Sequence, residues 1–208
     1  MPRIRYAAVL LAFTVLLIGC LPGAKAPYLV ELYTFDYVSP VLTGTPSDEV
    51  VKVDKFAAAQ SYNSAAMVYQ PEAYRIAVYN HHKWRVNPGD MVADYLRRDF
   101  RASGLFRAVL SYRQPETARF VVEGGVEEFL EAKEKDGWKA ILGLQVTLLD
   151  LTRPEITRRV VFQKRYRVAE PISEESPKAF AAGISAAMAK VSAHIVGDVY
   201  CTVKEAGR

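Results

Sequence analysis

The chain has 208 residues, half of them apolar, a formal charge of +4 and a pI near 9.0. That small excess is no nucleic-acid footprint, because no Lys/Arg block approaches what a phosphate backbone requires. Two cysteines, Cys20 and Cys201, cannot build a disulfide framework, and the 189 residues beyond the N-terminal apolar run suit one domain with a substantial core.

The chain opens on Arg3 and Arg5, followed by an uncharged run of 13 residues, 6–18. A spanning helix needs about 20. A basic head, a short apolar core and a small residue before the cut describe a secretory signal, assigned to residues 1–19. Leu17-Ile18-Gly19-Cys20 resembles the lipobox of bacterial lipoproteins, where the cysteine thiol receives a diacylglyceryl group and becomes the new N-terminus. The resemblance makes Cys20 the lipidation site. One acyl chain binds a membrane marginally, with an association constant of roughly 10⁴ per molar, and the three chains of a bacterial lipoprotein make the anchor stable. Leu21, not aspartate, follows the cysteine, which implies the periplasmic face of the outer membrane rather than the inner membrane. Loss of residues 1–19 removes two arginines and no acid, leaving a charge of +2. Residues 20–27 read as a short lipidated tether that keeps the domain close to its membrane. With Cys20 acylated, Cys201 has no partner within the chain and is expected partly buried near a helix end.

Composition then alternates between strand and turn. Residues 28–36 and 49–56 are rich in β-branched and aromatic residues, and 65–69 and 73–80 read as two strands joined at Gln70-Pro71-Glu72. The period changes at Asn87, a plausible N-cap followed by Pro88 at the first helical position. Val92, Tyr95, Leu96 and Phe100 form an apolar stripe, and Gly104 is a natural stop. Strands are expected at 106–112, 119–130, 138–151 and 157–168, the last three as an antiparallel meander. Ala140, Leu142, Leu144, Val146 and Leu148 share one face of the third, and its other face is expected to be only partly covered. A second helix opens at Ser176-Pro177 and is expected to run to about 199, its small residues allowing close approach to the sheet. The sum is an α+β domain, 28–200, with one large mostly antiparallel sheet and two main helices against it, before a tail at 201–208.

No catalytic motif emerges. HExxH, CxxC, GxSxG and a Gly-rich phosphate loop are all absent. His81 and His82 are adjacent at a strand end and point to opposite faces, and His194 has no second ligand one turn away, so no metal is expected. Gly124-Gly125 marks a bulge, and Glu127-Glu128 and Glu174-Glu175 read as solvated. No cofactor and no enzyme activity are expected. The unusual feature is a group of aromatic residues, Tyr62, Tyr69, Tyr74, Tyr79 and Trp84, whose apolar bodies and polar tips suit an interface. Tyr79 and Trp84 are the candidate partner contacts, with packing of the first helix as the competing role.

The stretch AYRIAVYNHHKWRVNPGDMVADYLRRDFRASGLFRAV resembles the hallmark segment of the ABC-type transport auxiliary lipoproteins, the PqiC-like family. The matching positions are Arg75, Ile76, Tyr79, Trp84, Pro88, Leu96, Ser103, Gly104 and Phe106; Glu128-Phe129-Leu130, the strand at 141–151 and the closing Ala-rich helix add to them. His81-His82 departs from the more usual polar or acidic residues before the Trp. The resemblance implies a role beside an Mce-type lipid transport system, in which the lipoprotein docks to the Mce-domain substrate-binding protein and its ABC transporter subunits, helping lipid pass between inner and outer membranes. It brings no catalytic residue. The alternative is a lipoprotein that itself binds and carries a lipid or other apolar ligand. The sequence is compatible with a homo-oligomer.

Overall fold

The computed structural model describes residues 29–207, so Cys20, the signal segment and the tether lie outside the described residues. The chain forms β1 (Glu31–Tyr33), β2 (Ser47–Ala58), β3 (Ala66–Glu72), β4 (Arg75–Trp84), α1 (Pro88–Ala102), β5 (Phe106–Ser111), β6 (Phe120–Glu134), β7 (Gly137–Asp150), α2 (Ile156–Arg159), β8 (Val160–Pro171) and α3 (Pro177–Ala206). The expected α+β domain is what forms: one mixed eight-stranded sheet with two long helices on a single face.

The meander β6–β7–β8 is antiparallel, as its turns predict, and includes the two longest ladders of the sheet. Beyond it, β6 does something that local patterns do not announce. One edge pairs with β7 throughout; the other pairs in parallel with β2 over its first half and with β3 near its end. The sheet forks there. One branch continues β2–β5 in parallel, and the other runs β3–β4–β1, with β1 parallel to β4.

Strand alternation gives the sheet an inner face toward the helices and an outer face away from them. Ala140, Leu142, Leu144, Val146 and Leu148 all point inward and are fully buried, as expected. Asn87 caps α1 by accepting from the Gly89 N–H at 2.8 Å, and Gly104, with φ of 64°, ends it. Ser176 caps α3 in the same manner, accepting from Ala179 at 3.1 Å. At Gly183 a Cβ would stand 2.7 Å from the Ala140 methyl and 2.5 Å from Ile172, so this residue sets how closely α3 approaches the sheet. Alone among the described helices α3 is long and apolar enough to cross a membrane, but most of its apolar stretch is buried as the core helix.

Three expectations are corrected. The strand expected over 28–36 is ordered as β1 only at Glu31–Tyr33; 157–159 forms a helical turn before β8; and α3 runs on to Ala206, so 201–206 is helix and Cys201 sits exposed on it. The first has a clear cause. After Tyr33 the chain leaves the sheet and lies across both helices, its polar groups held by side chains. The Asp36 N–H donates to Ser185 Oγ at 3.1 Å, Arg98 donates to the Tyr37 carbonyl at 3.2 Å, and the Tyr95 hydroxyl donates to the Phe35 carbonyl.

At the centre of this crossing lies Asp99, wholly buried on α1. It accepts from the hydroxyls of Tyr37 (2.7 Å), Ser39 (2.7 Å) and Ser192 on α3 (2.6 Å), and from Arg98 Nε (2.9 Å). One carboxylate thus joins the crossing segment to both helices. Replacing it leaves four donors without an acceptor, and breaking such a buried charge network costs about 3–5 kcal/mol. Asp99→Ala is expected to lower unfolding free energy by that order in urea titrations, whereas Asp94→Ala, on the exposed side of α1, should change it by less than about 1 kcal/mol.

Candidate functional site

The residues expected to meet a partner sit on β4, and an irregularity in that strand decides their fate. Val78 pairs with Val68 and Lys83 with Ala66, so the four residues 79–82 oppose Met67 alone. This wide bulge turns Tyr79 toward β6, with its ring 4.7 Å from that of Tyr69. Its hydroxyl donates to Glu131 Oε2 at 2.7 Å. His82 faces Tyr33 and Glu31, its Nδ1 being 3.3 Å from each of their side-chain oxygens, while His81 is exposed on the bulge.

Trp84 comes after the bulge, where β4 pairs with β1 through Tyr33. Its ring stands edge-on to Phe129 of β6 and Phe180 of α3, 5.2 Å from each, and only 1% of the residue is exposed. It has no surface to give a partner. Of the two roles expected for Trp84 the structure shows packing, though against Phe129 and α3 and not the first helix: the bulge turns the ring into the gap between the sheet and α3. Tyr79 is half-buried and keeps some surface, but its polar tip is committed to Glu131.

Glu131 is the residue that sequence patterns passed over. It follows Phe129 by two positions, so it points inward with the core, wholly buried beside the start of α3. Burial pushes its carboxyl up to about 7; the hydrogen bonds from Tyr79 and the Ser176 backbone pull the other way, and the nearby Glu175 charge adds to the rise. Burial and Glu131 in turn raise the Tyr79 phenol. Glu131 Oε1 and Trp84 Nε1 are both buried without a hydrogen-bond partner among the described residues. A signal was present: in the alternation Phe129-x-Glu131 a charged residue occupies a core-facing position. The same holds for Asp99, which falls in the apolar stripe of α1.

The acidic pair Glu127-Glu128, expected to be solvated, is engaged with cations on the outer face. Glu128 accepts from Arg165 at 2.9 Å and Arg167 at 2.8 Å, and Glu127 pairs with Arg165. Glu127 is itself the bulged residue of β6, two places beyond Gly125. Gly124 serves closeness instead, since a Cβ there would stand 2.2 Å from the Gln145 carbonyl of β7. Among the described residues no three His, Cys, Asp or Glu side chains converge on a point that could hold a metal. The arrangement offers hydrogen bonding, packing and one carboxyl that titrates near neutrality.

Two outcomes follow for these residues. Trp84→Ala is expected to lower stability by about 3–5 kcal/mol, the cost of emptying a large aromatic site, read as a fall in melting temperature. For Glu131 the sign is set by a folded-state value near 7 against an ordinary one of 4.5. The folded protein holds the proton more tightly, so stability falls as pH rises from about 4.5 to 7 and stays low above. Glu131→Gln keeps the acceptor for Tyr79 without the charge. Its unfolding free energy should lose that slope and exceed that of the parent at pH 8 by about 1–3 kcal/mol.

Among solved structures, a Xanthomonas campestris protein of the DUF330 family superposes with a TM-score of 0.73 at 23% identity, covering 85% of this chain and 98% of that one. An uncharacterised protein gives 0.63 at 13% identity, covering 82% and 99%, and a hypothetical protein of Chlamydia trachomatis gives 0.50 at 12%, covering 76% and 98%. These likenesses establish the fold. No curated protein matches the chain in sequence. The family model described as the ABC-type transport auxiliary lipoprotein component matches residues 33–196, inside the domain marked out by the sequence and across β4, α1 and the whole meander. The chain therefore belongs to the ABC-type transport auxiliary lipoprotein family.

Proposed function

We propose that this protein is a lipid-anchored periplasmic auxiliary component of an Mce-type ABC transport system, docking from the outer membrane to the Mce-domain substrate-binding protein and helping lipid pass between the two membranes. Cys20 carries the anchor, and the domain works by contact. Membership of a transport auxiliary family, which is not an enzyme class, supports a helper role beside a transporter. The lipobox at Leu17–Cys20 supports the anchor, and Leu21 after the cysteine supports the outer membrane.

The observation that favours docking over carriage of lipid is the filled interior. Trp84, Phe129, Phe180, Met188 and Leu144 occupy the layer between helices and sheet, each at most 1% exposed. A lipid carrier needs a continuous apolar cavity in that layer. The groove of about 650 Å³ beside Gly124 opens on the outer face and mixes Phe56, Ala58 and Val126 with Lys55, Glu123 and Gln145, an open groove of mixed lining and not a continuous apolar cavity.

One experiment tests both halves. Cells expressing the tagged full-length chain are fed a fatty-acid probe, cross-linked, fractionated into inner and outer membranes, and the tagged protein is recovered. The parent is expected to carry the probe, to sit in the outer membrane and to bring down an Mce-domain protein with its ATPase and permease. Cys20→Ser is expected to lose the probe and the membrane fraction. Equal labelling of parent and variant would sink the anchor; labelled protein that recovers no Mce-domain partner would sink the docking role.

A further inference from the structure

The outer face of the sheet is not uniform. Across β6–β8 it carries Glu128, Gln145, Gln163, Arg165 and Arg167, the polar pattern of a face turned to water. On the branch β3–β4–β1 the pattern inverts. Leu32 pairs with Lys83, Ala66 also pairs with Lys83, and Val68 pairs with Val78, so alternation sets Leu32, Val78 and Ile76 on the outer face together. They are 62%, 48% and 55% exposed. Beneath them Val68, Leu130, Ala132 and Ile141 form a small buried cluster on that same face, separate from the main core. Both long helices pack on the inner face, so neither covers this patch. At the hairpin tip Tyr74 is held at φ of 69° with its side chain fully exposed. Exposed apolar surface gathered in one place marks a contact surface.

The direction of β1 identifies what the contact is. Because β1 runs parallel to β4, its start points back along β4 toward the Tyr74 tip. Residues 21–28 are all that separate Cys20 from Leu29, and the nine Cα steps between them span at most about 32 Å even when fully extended. An acylated Cys20 therefore brings its leaflet to the end of the molecule where the apolar wing lies. We propose that the outer face of the β1–β4 wing rests on the lipid surface that holds the anchor, with Tyr74, Ile76, Val78 and Leu32 in the interfacial layer. The proposal rests on lipidation of Cys20. Tyrosine favours the headgroup level, and the long stem of Lys83, paired with Leu32 on the same outer face, allows its charge to reach the phosphates while the neighbouring apolar groups meet acyl chains. The wing thereby fixes the orientation of the domain, leaving the long helices α1 and α3, on the opposite face of the sheet, turned away from the bilayer.

The test uses the acylated full-length chain in a Cys201→Ser background, carrying a single new cysteine at Ile76→Cys or, at the far end of the sheet, Arg158→Cys. Each is labelled with an environment-sensitive fluorophore and reconstituted into phosphatidylethanolamine vesicles with a minority of phosphatidylglycerol, with or without brominated acyl chains. Intact mass reports acylation independently of fluorescence. The probe at 76 is expected to shift to the blue and to be quenched about twofold by brominated lipid, and the probe at 158 to do neither. Acylated protein whose probe at 76 stays water-exposed overturns the proposal. So does a blue shift at 76 without quenching, which would mean that a second copy or another protein covers the wing. A mass without acyl chains removes the lipidation itself, a separate failure read before any fluorescence.

Discussion

Strand β6 holds the molecule together because it is asked to pair with three partners. A strand has two hydrogen-bonding edges, and β7 takes one of them along its whole length. The other is shared in sequence by β2 and β3, so the sheet must divide where one gives way to the other. The local irregularities gather at that point: Gly124 lets the β7 backbone approach, Glu127 bulges out, and β2 shifts register before Phe56. Bulges bend a strand and sharpen its twist. Here they allow one continuous inner face to serve two diverging branches, so that α1 can cover β2 and β5 while α3 covers β7 and β8.

Two buried carboxylates stand in that inner layer with different numbers of hydrogen-bond donors. Asp99 receives four hydrogen bonds from three separate parts of the chain, and Arg98 stacks its guanidinium over Tyr37 and Tyr95, 4.3 and 4.4 Å from the ring centres. That network is saturated and holds the crossing segment in place. Glu131 receives one phenol and one backbone N–H and keeps an oxygen without a partner, so burial wins and its charge is disfavoured.

The division of the outer face gives the protein a functional polarity. Its wider part is charged and paired; its wing is apolar and lies on the side from which the N-terminal segment arrives. Trp84 contributes to this from within. It fixes the base of the wing against Phe129 and Phe180.

What the sequence determined by itself is local. The N-cap Asn87 with Pro88, the stripe through Phe100, the stop at Gly104, the Ser176-Pro177 start and the inward set Ala140 to Leu148 are consequences of neighbours within one or two turns, and each forms where the residues say it should. The family hallmark from Arg75 to Phe106 is of the same kind, being a fixed order of short features. What the tertiary structure decided is everything that depends on pairing across the chain. Parallel placement of β2 between β5 and β6 joins segments far apart in sequence, and no periodicity encodes a partner. The bulge at residues 79–82 flips which face follows it, which is why Trp84, written in an aromatic cluster that looks like an interface, ends in the core. Glu131 and Asp99 carry their signal in plain view, as charges at core-facing positions, but only the fold supplies the donors that decide whether such a charge is locked or left wanting.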